Sequence, residues 1–250
     1  MGSTLVSKKG KIFLKGLDGD AYARQKAYNM VLPEYQTSLL NQVDGSATIC
    51  IGEVKVICSV TGPIEAKPRQ ELPTQCAIEV NIRPEVGVGS TREKNMEDKL
   101  RVVLNGTINK FQYPRQLIQV HLHIISKSQG TDNTLKDLHA CINGVYLALI
   151  DANISLLSSF LSTYAVANDD RLIFNPTSEQ IQSSTSHHLV CFDIKSGRAD
   201  ELLFVDSVGE FTERELMKVL DQSIEEIESM NKIVRKTITE KVSRDYIWKY

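Results

Sequence analysis

The sequence has no CxxC motif: its five cysteines, at positions 50, 58, 76, 141 and 191, are odd in number and scattered, mostly within apolar runs. That distribution excludes a disulfide framework and a thiolate zinc site, and fits small buried hydrophobes in a reducing compartment. No apolar run approaches the ~20 residues of a membrane-spanning helix, and the N-terminus lacks a signal-peptide core. An intracellular protein without a membrane partner is expected. Net charge is small, −2 from 29 Lys+Arg and 31 Asp+Glu, which excludes wholesale coating of nucleic acid but permits a local basic patch. With 42% hydrophobic and 24% charged residues over 250 positions, the chain reads as globular with ample core material.

What is present begins with a hairpin around Gly52-Glu53. Glycine at the first loop position suits a type II′ turn, and that loop sets Ile51 opposite Val54, Ile49 opposite Val56 and Ala47 opposite Cys58. Asp44-Gly45 opens the hairpin and Gly62-Pro63 is expected to close it, since proline cannot continue a ladder. Ahead of it, residues 1–29 form a basic segment of weak periodicity, expected to be a flexible extension, and the folded domain is expected over 30–243. Residues 244–250, with Tyr246, Ile247, Trp248 and Tyr250, form an aromatic tail.

Pro68 and Pro73 predict a stiff, extended loop without internal hydrogen bonds, carrying Lys67 and Arg69. Cys76, Ile78, Val80 and Ile82 alternate as in a half-buried strand. Gly87-x-Gly89 fails as a dinucleotide motif because Arg92 stands where the third glycine belongs. Ser90 and Glu93 form a capping box for a helix carrying Met96, Leu100, Val103, Leu104 and Ile108. A strand follows over Ile118, Val120, Leu122 and Ile124. His121 and His123 share its other face, but no third ligand stands at useful spacing, so no metal is expected. Leu135 to Ile150 reads as an amphipathic helix. The second half repeats the pattern, with strands at 162–167, 172–174, 189–194 and 202–205. A long helix then opens on Thr212 and Glu215. The fold class is α/β: two layered β/α halves with mixed sheets covered by helices.

Several phrases carry a family resemblance: DGSA (44–47), KVICSV (55–60) with Gly62-Pro63, STREK (90–94), YPRQ (113–116) and INGVYLALIDA (142–152). In order and spacing the chain resembles RNase PH-like proteins, and in particular ring subunits of the eukaryotic RNA exosome. The resemblance implies an RNase PH-like fold and, in active members, a phosphorolytic site. That site has a Gly-Thr-Arg phosphate loop at the start of the second helix and two acids six residues apart after a later strand. Here Lys136, Asp137, Leu138 and His139 align with the loop, so Leu138 replaces the arginine. The acids correspond to Asn175 and Ile181, or Gln180 if the register slips by one. Without a guanidinium clamp and an acid pair the site is expected to be degenerate and non-catalytic, with no cofactor and no metal. An active phosphorolytic 3′–5′ exoribonuclease with its acids elsewhere, and a stand-alone RNA-binding homodimer, are the alternatives.

The resemblance further implies a hetero-hexameric ring of RNase PH-like subunits with OB-fold cap subunits. It also implies a processive nuclease subunit, single-stranded RNA threading through the channel, and a nuclear, nucleolar and cytoplasmic location. Lys67, Arg69, Arg83, Arg92 and Lys94 are the candidate RNA contacts, on two loops expected at one end of a sheet.

Overall fold

The computed structural model describes residues 33–127, 134–168 and 171–245. The basic segment 1–29 and residues 246–250 of the aromatic tail lie outside the described residues. The hairpin forms from β2 (Gly45–Ile51) and β3 (Val54–Glu65), after a short β1 (Glu34–Thr37), with all three expected cross-strand pairs in register. Gly52 takes φ 62°, as its turn requires. Asp44 Oδ2 accepts the Gly62 N–H at 2.8 Å, tying the start of the hairpin to its far end. Gly45 is required by contact: a Cβ there would stand 2.4 Å from the Ala148 carbonyl oxygen of the central helix. Pro63 does not end the strand as the sequence suggests. The pairing register shifts between Thr61 and Ile64, and this irregularity accommodates the missing N–H.

Beyond Glu65 the chain also departs from expectation. The Lys67 carbonyl accepts the N–H groups of Gln70 at 2.8 Å and Glu71 at 3.0 Å, so the loop is turned rather than extended. Pro68 suits the first position of a turn, where its fixed φ is already correct and no N–H is needed.

Among the described residues, a five-stranded sheet has the order β1-β2-β3-β5-β4, with β4 (Ala77–Arg83) parallel to β5 (Gln116–Ser126) and the other neighbours antiparallel. Parallel neighbours need a crossover, and α1 (Thr91–Thr107) supplies it. Its capping box forms: Glu93 Oε2 accepts the Ser90 N–H at 2.8 Å. A single 3-10 turn at Lys110–Gln112 leads into β5. The second sheet runs β7-β6-β8-β9, from β6 (Ser159–Asn168), β7 (Arg171–Phe174), β8 (Ser186–Lys195) and β9 (Arg198–Gly209). It is antiparallel throughout, so only the first sheet is mixed.

Between the sheets lies α2 (Thr134–Asp151), packed on β2 and β3 on one side and on β6 and β8 on the other. Every residue from Leu135 to Leu149 is buried. A one-turn helix, α3 (Ser178–Gln182), follows β7; its Thr177/Gln180 capping box was the sequence signal for it. The last helix, α4 (Glu213–Asp245), packs on β6, β8 and β9 and meets β1, burying Val219, Ile227, Met230 and Val234. Its Thr212/Glu215 cap forms at 2.6 Å.

Candidate functional site

Of the three positions aligned with the phosphorolytic site, Leu138 lies near the start of α2, Asn175 in the loop from β7 into α3, and Ile181 on α3. The start of α2 faces that loop. Lys136 Nζ donates to the Pro176 carbonyl at 3.0 Å, fastening the helix to the residue beside Asn175. Leu138 is fully buried in the core, where it can present nothing to an anion. Ile181 is a core residue too, and Asn175 is buried at φ 49° with its backbone N–H on the Tyr164 carbonyl. The Asn175 amide lies against His139, yet neither of its side-chain atoms makes a hydrogen bond of normal geometry, nor does His139 Nε2. On the other side of the ring, His139 Nδ1 meets Ser162 Oγ at 2.9 Å. Burial pushes the His139 pKa down to about 3, despite the opposing Asn175 amide.

Two charged residues at this turn were not used by the sequence reading. Asp137 is fully buried and bonded to Arg92 Nη2 at 2.5 Å; burial raises its pKa while the guanidinium opposes the rise. Lys136, also buried, has its pKa lowered by desolvation, with the nearby Glu53 and Asp137 carboxylates opposing. Glu53 comes from the β2–β3 turn, and its Oε2 accepts the Ser178 hydroxyl of α3 at 2.8 Å. The hairpin tip therefore meets the very loop that carries the aligned positions. An adjacent lysine and aspartate in an otherwise apolar helix were the available signal for this buried cluster.

The five candidate RNA contacts do not form one group. Lys67 and Arg69 precede β4, at the end where Ala77 pairs with Leu117 and Glu65 with Gln116. Arg83 ends β4 opposite His123, and Arg92 and Lys94 follow from that same far end. Seven residues of strand separate the two sets by roughly 20 Å, which corrects the expectation of a cluster at one end of the sheet. Lys67, Arg69 and Arg83 are exposed. Lys94 is 65% exposed in its side chain and pairs with Glu97 at 2.6 Å. Arg92, at 32%, also holds Thr134 Oγ1 at 2.9 Å and Glu93 at 3.3 Å, so its hydrogen bonds point inward. Lys127 joins Arg92 in lining a cavity of about 190 Å³ beside Pro84, Val86 and Ile124. His121 and His123 project from β5 into solvent, and among the described residues no group of three potential metal ligands occurs.

Comparison with known proteins identifies the family. Residues 33–155 match the family model described as "3' exoribonuclease family, domain 1". The exosome complex component RRP46 of Saccharomyces cerevisiae is 40% identical over 213 residues, spanning 83% of this chain and 96% of that protein. The chain belongs to the RNase PH-like family of exosome components. The corresponding rrp46 component of Schizosaccharomyces pombe is 32% identical over 81% of this chain and 87% of its own. The crystal structure of rice (Oryza sativa) Rrp46 superposes with a TM-score of 0.74 at 20% identity, covering 84% of this chain and 95% of that one, and so shares its fold. The matched RNase PH domain runs through β1 to β5, α1 and the whole of α2, which brings the Leu138 turn inside it.

Proposed function

We propose that this chain is a non-catalytic structural subunit of the exosome's RNase PH-like ring that guides single-stranded RNA during 3′-to-5′ processing and degradation, rRNA maturation included. One observation carries the absence of chemistry. At the junction of α2 with the β7–α3 loop, the three aligned positions are a core leucine, a buried amide and a core isoleucine. Phosphorolysis needs an anion clamp for the attacking phosphate and carboxylates to handle a metal or the leaving 3′ oxygen. The charges close by already have partners: Asp137 pairs with Arg92, and Lys136 donates to the Pro176 carbonyl. Glu179 stands exposed on α3, without a second acid six residues away. OB-fold cap subunits and a processive nuclease subunit are the further partners in this reading. Nucleus, nucleolus and cytoplasm are the locations.

The purified full chain, given single-stranded RNA, divalent metal and phosphate, is expected to release no nucleoside diphosphates. Release that scales with chain and phosphate, and survives Glu179→Gln, overturns the reading. Lys67 and Arg69 serve as contacts to the RNA backbone. Changing both to Ala in the assembled complex is expected to lower the salt slope of log K by about 1.4, two phosphates at ~0.7 each, without altering sequence preference.

A further inference from the structure

The 3-10 turn before β5 presents an exposed aromatic ring at an end of the sheet that also carries cations. This turn and the residues after it fold against the segment from the end of β3 to β4: the Cys76 N–H donates to the Lys110 carbonyl at 2.9 Å, the Arg115 N–H donates to the Leu72 carbonyl at 3.2 Å, and Gln116 at the start of β5 pairs with Glu65 at the end of β3. The Lys67 turn and the YPRQ turn are thereby held side by side. Arg115 takes φ 62°, and its side chain stands 72% exposed with Nε 3.5 Å from Glu71 Oε1. Phe111, at the middle of the 3-10 turn, is 75% exposed. Four cations, Lys67, Arg69, Lys110 and Arg115, therefore share this end of the sheet with two acids, Glu65 and Glu71.

From this juxtaposition we infer that Phe111 is a stacking platform for a base of single-stranded RNA, with Arg115 and the Lys67 turn holding the adjoining phosphates. The inference rests on the RNA-guiding role above and adds to it a base contact and a further cation. An exposed ring among cations is what sequence-tolerant single-strand binding requires, because every base offers a π-face and every linkage a negative charge. A protein-docking patch would instead be depleted of lysine around its apolar centre. Arg115 belongs with Lys67 and Arg69 only through the fold, since more than forty residues of chain separate them.

The test measures binding of a labelled oligouridylate, and of the same oligomer with abasic sugars, to the full chain and to its assembled complex in phosphate-free buffer. Phe111→Ala is expected to weaken binding of intact RNA about 5- to 150-fold, the loss of one stacked base, and to leave the abasic oligomer unaffected. Phe111→Trp is expected to restore it. Arg115→Ala should lower the salt slope by ~0.7 for both oligomers. The ring is mostly exposed, so neither Phe111 variant should disturb folding. Unchanged binding by Phe111→Ala, or equal losses for intact and abasic oligomers, overturns the inference. So does release of the Phe111→Ala chain from its complex with its own RNA affinity intact, which would make Phe111 a protein contact. Because binding is read without phosphate, a chain that proved phosphorolytic would sink the non-catalytic reading and leave this result standing.

Discussion

The two long helices meet opposite demands. α4 buries one stripe and turns most of its 33 residues toward solvent; Lys241, paired with Asp151 at the end of α2, and the half-buried Glu226, its pKa raised by desolvation, are exceptions among its charges. α2 has no solvent face over most of its 18 residues, and every polar group on it needs an internal partner. Lys136 has the Pro176 carbonyl, Asp137 has Arg92, and His139 has Ser162. Asn143 closes the row: Oδ1 accepts the Ser162 N–H at 2.9 Å, and Nδ2 donates to the Ser162 carbonyl at 3.2 Å. A helix so enclosed can serve an anion only if some side chain is held in reserve for it. On α2 the two charges of the first turn are held by internal partners, Lys136 by the Pro176 carbonyl and Asp137 by Arg92.

The widest break between the two helices comes from Arg92→Ala. It strands the Asp137 carboxylate at a site with no exposure, and removing one partner of a buried pair costs about 3–5 kcal/mol. Urea unfolding of the variant should show a loss at the lower end of that range, because Arg92 itself is partly solvated. The pH dependence has a definite sign. Burial already holds the Asp137 pKa above its ordinary value, and without Arg92 it rises further. As pH falls through that raised pKa the carboxyl becomes neutral and the penalty shrinks. Adding Asp137→Leu to the variant should recover most of the loss. A loss under ~1 kcal/mol at neutral pH would show that α2 tolerates an unpaired charge as α4 does.

The same contrast explains which parts of the structure were legible. The hairpin register could be read because alternation with period two and a glycine turn leave one solution. The caps of α1 and α4 could be read because Ser90/Glu93 and Thr212/Glu215 act within one turn of chain. Leu138, Asn175 and Ile181 were assigned by resemblance, and no local pattern of the sequence marks them. What could not be read was long-range pairing of short segments. Arg115 beside Glu71, Glu53 beside Ser178 and Arg92 on Asp137 are contacts between distant residues with no local pattern to announce them. The separation of Lys67 and Arg69 from Arg83, Arg92 and Lys94 was legible and overlooked: the two sets flank one strand, Ala77–Arg83, whose two ends necessarily lie at opposite ends of the sheet.

A second measure of the enclosure of α2 is proton uptake at His139. Its folded pKa of about 3 lies far below the ordinary 6.5, so below pH ~6.5 the unfolded chain takes a proton that the native chain refuses. Stability should then fall by about 1.4 kcal/mol per pH unit from this group, down to its folded pKa. Asp137 works in the opposite direction over acidic pH and is common to both proteins compared, so the difference isolates the histidine. The absolute stability of His139→Gln, which depends on its own bond to Ser162, is not the readout. The expected outcome is a gap between wild type and His139→Gln that narrows as pH drops from 6.5 to 5. A constant gap would mean that water reaches the ring and α2 is not closed there.

The smallest effect belongs to the solvent face of α4. Lys236 lies 4.0 Å from Glu240, with both side chains more than half exposed. Exposed i,i+4 pairs contribute about 0.3–0.5 kcal/mol, and a lysine N-terminal to its glutamate is the weaker orientation. The helix dipole adds nothing, since its influence is confined to the last turn and the helix runs on to Asp245. Lys236→Ala should therefore change stability by less than ~0.5 kcal/mol, partly offset by the higher helix propensity of alanine. Raising the salt concentration should leave even that difference unaltered within error. Chemical denaturation of the isolated chain checks it, and a loss above ~1 kcal/mol would show that even this exposed face of α4 holds its charges in partnerships, as Lys241 does with Asp151.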